Sequence, residues 1–213
     1  MLRPTTAWLA WVVVVAAAIL VSCGAPAARV TIQPGATAST LPAATGTPTA
    51  APTASFPLTI TDDEDTTVTI PAEPQRIVSL TPATTEILFA IGADERVVAT
   101  TDFDDYPPDA VSLPNVASYT SVDVEKIVGL QADLVVAGGN AFTPPDGVRR
   151  LRSLGIPTVV VYGATVDDVF ADIELTGVIA GRAAPARDLA TTMRADFERV
   201  AAALAAEPRP RVF

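Results

Sequence analysis

The sequence predicts an α/β domain, a parallel sheet flanked by helices. Strands such as residues 77–80 (in RIVSL), 133–137 (DLVVA) and 158–161 (TVVV) are almost wholly apolar, as strands covered by helices on both faces are. Between them lie stretches of helical period that open near a Thr or Ser and stop at a glycine. The joints are a few residues long, as strand–helix–strand crossovers require.

The first strand, 77–80, passes through Thr81-Pro82 into a helix. Thr81 is its expected N-cap, and Pro82 suits the first helical position, where its missing N–H has no intrahelical partner to lose. Ile87, Leu88 and Ile91 supply the apolar face, and Gly92 ends the helix. A second strand, 97–100, is closed by the acidic, aromatic loop DFDDYPP at 102–108. An extended piece at 116–119 precedes a helix capped by Ser121. Asp123 and Glu125 lie in its first turn, where carboxylates meet the positive end of the helix dipole.

The third main strand, 133–137, runs into Gly138-Gly139-Asn140. A helix over 145–154 stops at Gly155, and the strand 158–161 follows. Thr165 caps a further helix that ends near Gly181. The last element, 184–206, is longer, alanine-rich and free of glycine. Its Leu189, Met193, Phe197, Val200 and Leu204 form a stripe at spacings of three and four.

Ahead of this domain the composition changes. Arg3, an apolar run at 7–21 and the small residues Ser22, Cys23 and Gly24 follow the pattern of a secretory signal. The alternative, a membrane anchor, needs about 20 apolar residues, more than this run supplies. Residues 23–57 are rich in Ala, Pro, Thr, Gly and Ser. Such a tether buries too little apolar surface to offset its ordering entropy. Residues 58–60 and 68–70 read as a small hairpin across the acidic run Asp62, Asp63, Glu64 and Asp65. That run lacks the turn glycine and closing Glu of a calcium loop, so its carboxylates are expected to face water.

The chain holds 14 Lys and Arg against 24 Asp and Glu, a formal charge of -10. With no basic stripe to neutralise phosphates, a nucleic-acid partner is excluded. There is no histidine and a single cysteine. That removes most zinc and copper ligand sets and every His-based nucleophile system. No G-x-G-x-x-G phosphate fingerprint is present. An enzyme is therefore not expected, and neither a metal nor a cofactor is assigned.

RIVSLTPATTEILFAIG, VVATTDFDDYPP, ASYTSVDVEKIVGLQADLVVAGG and LRSLGIPTVVV, in that order, closely resemble the N-terminal lobe of periplasmic-binding-protein-like solute receptors. These serve ABC importers of cobalamin, ferric siderophores and haem, and the nearest likeness is to the cobalamin-binding type. The resemblance implies two α/β lobes joined by one long helix, with ligand held between them. On that reading 73–183 is the N-terminal lobe, 184–207 the connecting helix, and 208–213, with Arg211-Val212-Phe213, the start of a second lobe that this sequence does not supply. Leu20-Val21-Ser22-Cys23 likewise resembles a lipobox. That implies cleavage after residue 22, a diacylated Cys23 and a place on the outer face of a membrane.

The resemblance also implies a ligand: cobalamin or a related corrinoid, with a ferric siderophore as the alternative and haem weaker for want of histidine. Phe103 and Tyr119 stand where the cobalamin binder has aromatic residues against the corrin ring, the alternative being loop packing. Asp104 is a candidate acceptor for ligand amides, or simply a turn acid. Pro82, Ala83 and Thr84 offer helix N–H groups to a polar ligand edge. Gly138, Gly139 and Asn140 give a cleft-facing turn, or only a turn. Glu125 stands where the family pairs a surface glutamate with a permease arginine, although first-turn electrostatics would also account for it. The function so implied is a lipid-anchored substrate-binding component of an ABC importer. A lobe used only for protein interaction is the alternative from another class.

Overall fold

The computed structural model describes residues 55–139, 142–205 and 207. The signal segment, Cys23, most of the tether, Asn140 and the strand start Arg211-Val212-Phe213 lie outside the described residues.

The hairpin pairs β1 (Leu58–Thr61) antiparallel with β2 (Thr67–Ile70). The main sheet then holds β3 (Ile77–Ser79), β4 (Val97–Thr101), β5 (Asn115–Ala117), β6 (Leu134–Gly138) and β7 (Thr158–Val161). All its pairings are parallel, in the order β5-β4-β3-β6-β7. The period of two along each strand divides the core into two layers. Ile77, Leu134, Val136 and Val159 face one layer, and Val78, Val135, Ala137 and Val160 face the other. Helices α1 (Pro82–Ala90), α4 (Val166–Ile179) and α5 (Ala183–Leu204) cover the first layer together with the hairpin. Helices α2 (Val124–Gly129) and α3 (Pro145–Ser153) cover the second. Among the described residues, no helix is long and apolar enough to cross a membrane.

Most expected boundaries hold. Thr81 caps α1, accepting a hydrogen bond from the Thr84 amide at 3.4 Å. Thr165 and Asp168 form a reciprocal capping box on α4. The cap of α2 does not hold. Its N-cap is Asp123, whose carboxylate accepts from the Lys126 amide at 2.9 Å, while Ser121 bonds the Ser118 hydroxyl. A carboxylate two residues nearer the helix wins that position.

The acidic turn also departs from expectation. Asp62 is buried. One of its oxygens accepts from the Glu64 and Thr66 amides at 3.1 and 2.9 Å. The other accepts from the Val160 amide at 3.0 Å and pairs with the Arg152 guanidinium at 2.5 Å. Asp63 donates its own amide to the Val160 carbonyl at 3.2 Å, and its carboxylate accepts from the Tyr162 amide at 2.5 Å. The physical reason is the outer edge of β7, whose N–H groups have no further strand to meet. Side-chain oxygens from the turn satisfy them, and Arg152 offsets the buried charge.

Helix α5 packs closely on α4 through small residues. A Cβ at Gly177 would lie 2.1 Å from the Ala186 Cβ. Farther along, Arg194 pairs with Asp167 at 2.7 Å and lies 4.4 Å above the Phe170 ring. The expected stripe is buried only in its first half: Leu189 and Met193 pack on the core, while Phe197, Val200 and Leu204 are more than half exposed.

Candidate functional site

After β3 the chain turns to β4 and β5 on one side of the sheet, then returns to β6 and β7 on the other. The connections leaving β3 and β6 therefore diverge, opening a crevice at the carboxyl ends of these two strands. A recess of about 380 Å³ lies there, within the range of small-molecule sites.

Thr81 and Thr84 line the recess, and a network of hydroxyl groups braces them. Ser79 and Thr84 share a hydrogen bond of 2.5 Å, and the Thr85 hydroxyl donates to Ser79 at 2.8 Å. Thr143 accepts from the Gly138 amide at 3.0 Å and donates to the Leu80 carbonyl at 3.3 Å, tying the ends of β6 and β3 together. These groups are buried and mutually satisfied, so the start of α1 is held rigidly. At Gly138 there is no room for a side chain, since a Cβ would lie 2.3 Å from the Thr81 Cγ2.

The walls are aromatic. Phe103, after β4, stacks on Tyr119, after β5, with ring centroids 4.0 Å apart and planes 9° from parallel. Tyr119 leaves its outer face to solvent, 62% exposed. Phe142 and Tyr162 rise opposite, and Val161, Val169 and Ile87 complete the apolar lining.

Of the residues expected in the site, Pro82, Ala83, Thr84, Phe103, Tyr119 and Gly138 all line this recess. Gly139 sits behind it, where a Cβ would lie 2.9 Å from the Tyr162 Cβ. Asp104 is not brought in. Its carboxylate is buried in its own loop, accepting from the Thr101 amide at 2.8 Å and from the Thr101 hydroxyl. Two close local donors hold it there, so it serves the loop rather than the recess. Glu125 is exposed on a separate shallow face between α2 and α3, beside Val128, Arg150 and Leu154.

Several lining residues escape the sequence reading: Phe142, Tyr162, Val169 and Asp172. Tyr162 carried a usable signal, because it directly follows the apolar strand β7, where parallel sheets place ligand contacts. Asp172 carried none. It is a buried carboxyl on α4 that lines the recess. Burial pushes its pKa up to about 7, reinforced by the charge of Asp63, a hydrogen bond with the Asp63 carboxyl and the charge of Asp168. A hydrogen bond from the Gly163 backbone opposes the shift. Among the described residues, no Lys or Arg lines the recess, and no group of three or more His, Cys, Asp or Glu stands ready to hold a metal ion.

Comparisons with known proteins bear on the family of the chain. A family model described as periplasmic binding protein matches residues 77–213. An ABC transporter substrate-binding lipoprotein of Bacillus subtilis (strain 168) is 35% identical over 147 residues, 68% of this chain and 46% of that protein. A vitamin B12-binding protein of Vibrio cholerae is 38% identical over 106 residues, 49% of this chain and 37% of its own. The crystal structure of the periplasmic vitamin B12 binding protein of Vibrio cholerae superposes with a TM-score of 0.59 at 30% identity, covering 63% of this chain and 52% of that one. A crystal structure of a haem-binding protein superposes with a TM-score of 0.62 over 73% of this chain and 48% of its own. At 18% identity that likeness is one of fold alone. The chain thus spans about half the length of the relatives it matches, or less.

Proposed function

The chain belongs to the periplasmic binding protein family, whose members bind solutes and are not enzymes, and from that membership we propose that it captures cobalamin or a related corrinoid and delivers it to the permease of an ABC importer. On this reading Cys23 carries the lipid that holds the protein on the outer face of the membrane, the tether spaces the domain from the bilayer, and 184–207 connects it to a second lobe. The observation that carries the proposal is the aromatic recess at the crevice of the sheet, with Phe103 and Tyr119 forming one wall. Flat rings cover a broad planar ligand with little loss of side-chain entropy. A corrinoid is larger than the recess, so these residues would hold one face of it. Binding needs no covalent step: apolar area leaves water, and the amides at the start of α1 meet a polar edge. The ferric-siderophore alternative is disfavoured by a lining that, among the described residues, offers an anionic chelate no cation.

Calorimetric titration of the whole chain with cyanocobalamin tests this reading. Binding is expected, and Phe103→Ala combined with Tyr119→Ala should weaken it at least tenfold, about 1.4 kcal/mol. If the whole chain, well folded, takes up neither cyanocobalamin nor a ferric chelate, the capture role is wrong and the protein-interaction reading replaces it.

Glu125 is the proposed permease contact, an exposed charge at the start of α2, away from the recess. Such charges act mainly on encounter rate and its salt dependence. Glu125→Ala should slow association with a permease reconstituted in nanodiscs roughly fivefold, leaving cyanocobalamin affinity in solution unchanged. Unaltered association kinetics would remove the docking role.

A further inference from the structure

We propose that Asp172, with Asp63 behind it, sets the charge selectivity of the recess, which accepts ligands presenting uncharged amide N–H groups and rejects those presenting a carboxylate. The inference rests on the capture role proposed above and specifies the chemistry of what is captured. It stands on three features. Asp172 is the only charged side chain lining the recess among the described residues, and it is buried there rather than turned to solvent. Asp63, on the turn of the hairpin, acts on Asp172 with its charge, and its own amide and carboxylate are both bonded to the edge of the sheet, at Val160 and Tyr162. The other groups acting on Asp172 are Asp168, one turn earlier on α4, and the Gly163 backbone; none of them is a cation.

Burial, helped by the charge of Asp63, keeps a proton on Asp172 up to about pH 7. In either protonation state the Asp172 carboxyl offers an acceptor oxygen. An amide N–H of a ligand can donate to it. A ligand carboxylate instead brings a further negative charge against a wall that, among the described residues, offers no cation to receive it. As pH rises through about 7 Asp172 loses its proton, and discrimination against carboxylates becomes stronger.

The test uses cyanocobalamin and its three monocarboxylates, in which one propionamide of the ring is hydrolysed, titrated into the whole chain between pH 6 and 8.5. The wild type should bind the parent more tightly than at least one monocarboxylate by tenfold or more at pH 8, with a smaller ratio at pH 6. Asp172→Asn should bring that ratio to within about threefold at both pH values. Equal affinity of the wild type for all four ligands overturns the inference while leaving the capture role intact, and so does an Asp172→Asn ratio that follows the wild type. A wild type that binds none of the four overturns the corrinoid reading and the selectivity together.

The pair can also be read without ligand. Asp172 in the folded chain keeps its proton above the pH at which the unfolded chain has lost it. Wild-type stability should therefore fall between the ordinary carboxylate range and pH 7. Asp172→Asn has no such loss, so its melting temperature should rise relative to wild type by on the order of 5 °C from pH 5 to pH 8. A constant difference across that range means that Asp172 has no proton to lose there, and the proposal falls whatever the ligand data show.

Discussion

Asp62→Ala should lower the stability of the domain by about 3–5 kcal/mol, the usual cost of removing one partner from a buried ion pair. The melting temperature should fall on the order of 10 °C. The carboxylate is buried and takes three backbone N–H groups besides Arg152. Its loss strands the Glu64, Thr66 and Val160 amides and leaves the Arg152 charge with only the Thr158 carbonyl at 3.1 Å and weaker contacts near 3.5 Å. Glu64→Ala is the control. That carboxylate is half-exposed and stands 3.5 Å from Arg152, a geometry worth less than about 1 kcal/mol. Urea denaturation of the two variants and of Asp62→Ala/Arg152→Ala separates the contributions. The double variant should recover part of the loss, because the guanidinium is then no longer left with a missing partner. A loss below 1 kcal/mol for Asp62→Ala would mean that the hairpin does not close the edge of β7.

That network marks where the sequence stops being legible. The alternation of strands and helices was readable because each element carries its own signal: β7 is a run of four apolar or β-branched residues, and Thr165 is followed three residues on by Asp168. The placement of Pro82, Thr84 and Gly138 at one crevice followed from strand ends in a parallel sheet, and the structure gathers them there. The aromatic wall was legible through the family resemblance, although the stacking of Phe103 directly on Tyr119 was not. Four consecutive acidic residues, by contrast, look like a solvated turn in any local window. What buries Asp62 is an arginine on α3 and a strand edge, both far along the chain. Asp172 is hidden for the same reason. Nothing within α4 distinguishes it from the other acids of that helix, and its environment is made by the turn of a hairpin that precedes the sheet.

Gly138 gives the sharpest test of the crevice itself, through a substitution and its repair. Gly138→Ala should cost roughly 2–3 kcal/mol and weaken cyanocobalamin binding at least tenfold, because the new methyl would lie 2.3 Å from the Thr81 Cγ2 and 3.1 Å from the Phe142 Cβ. Thr81 has little freedom to yield. Its hydroxyl caps α1 and contacts Thr84, and its carbonyl accepts from the Thr85 hydroxyl. The strain would therefore pass into the first turn of α1, which also lines the recess. Thr81→Ser removes the clashing methyl but keeps the capping oxygen, so on its own it should be nearly neutral. Combined, Gly138→Ala and Thr81→Ser should regain most of the lost stability and binding, a coupling well above the few tenths of a kcal/mol seen between independent sites. Simple additivity of the two substitutions would show that the ends of β3 and β6 do not meet as closely as the crevice requires. Recovery of stability without recovery of binding would instead place the ligand's contact at Gly138 itself, where the absence of a side chain lets it approach the backbone.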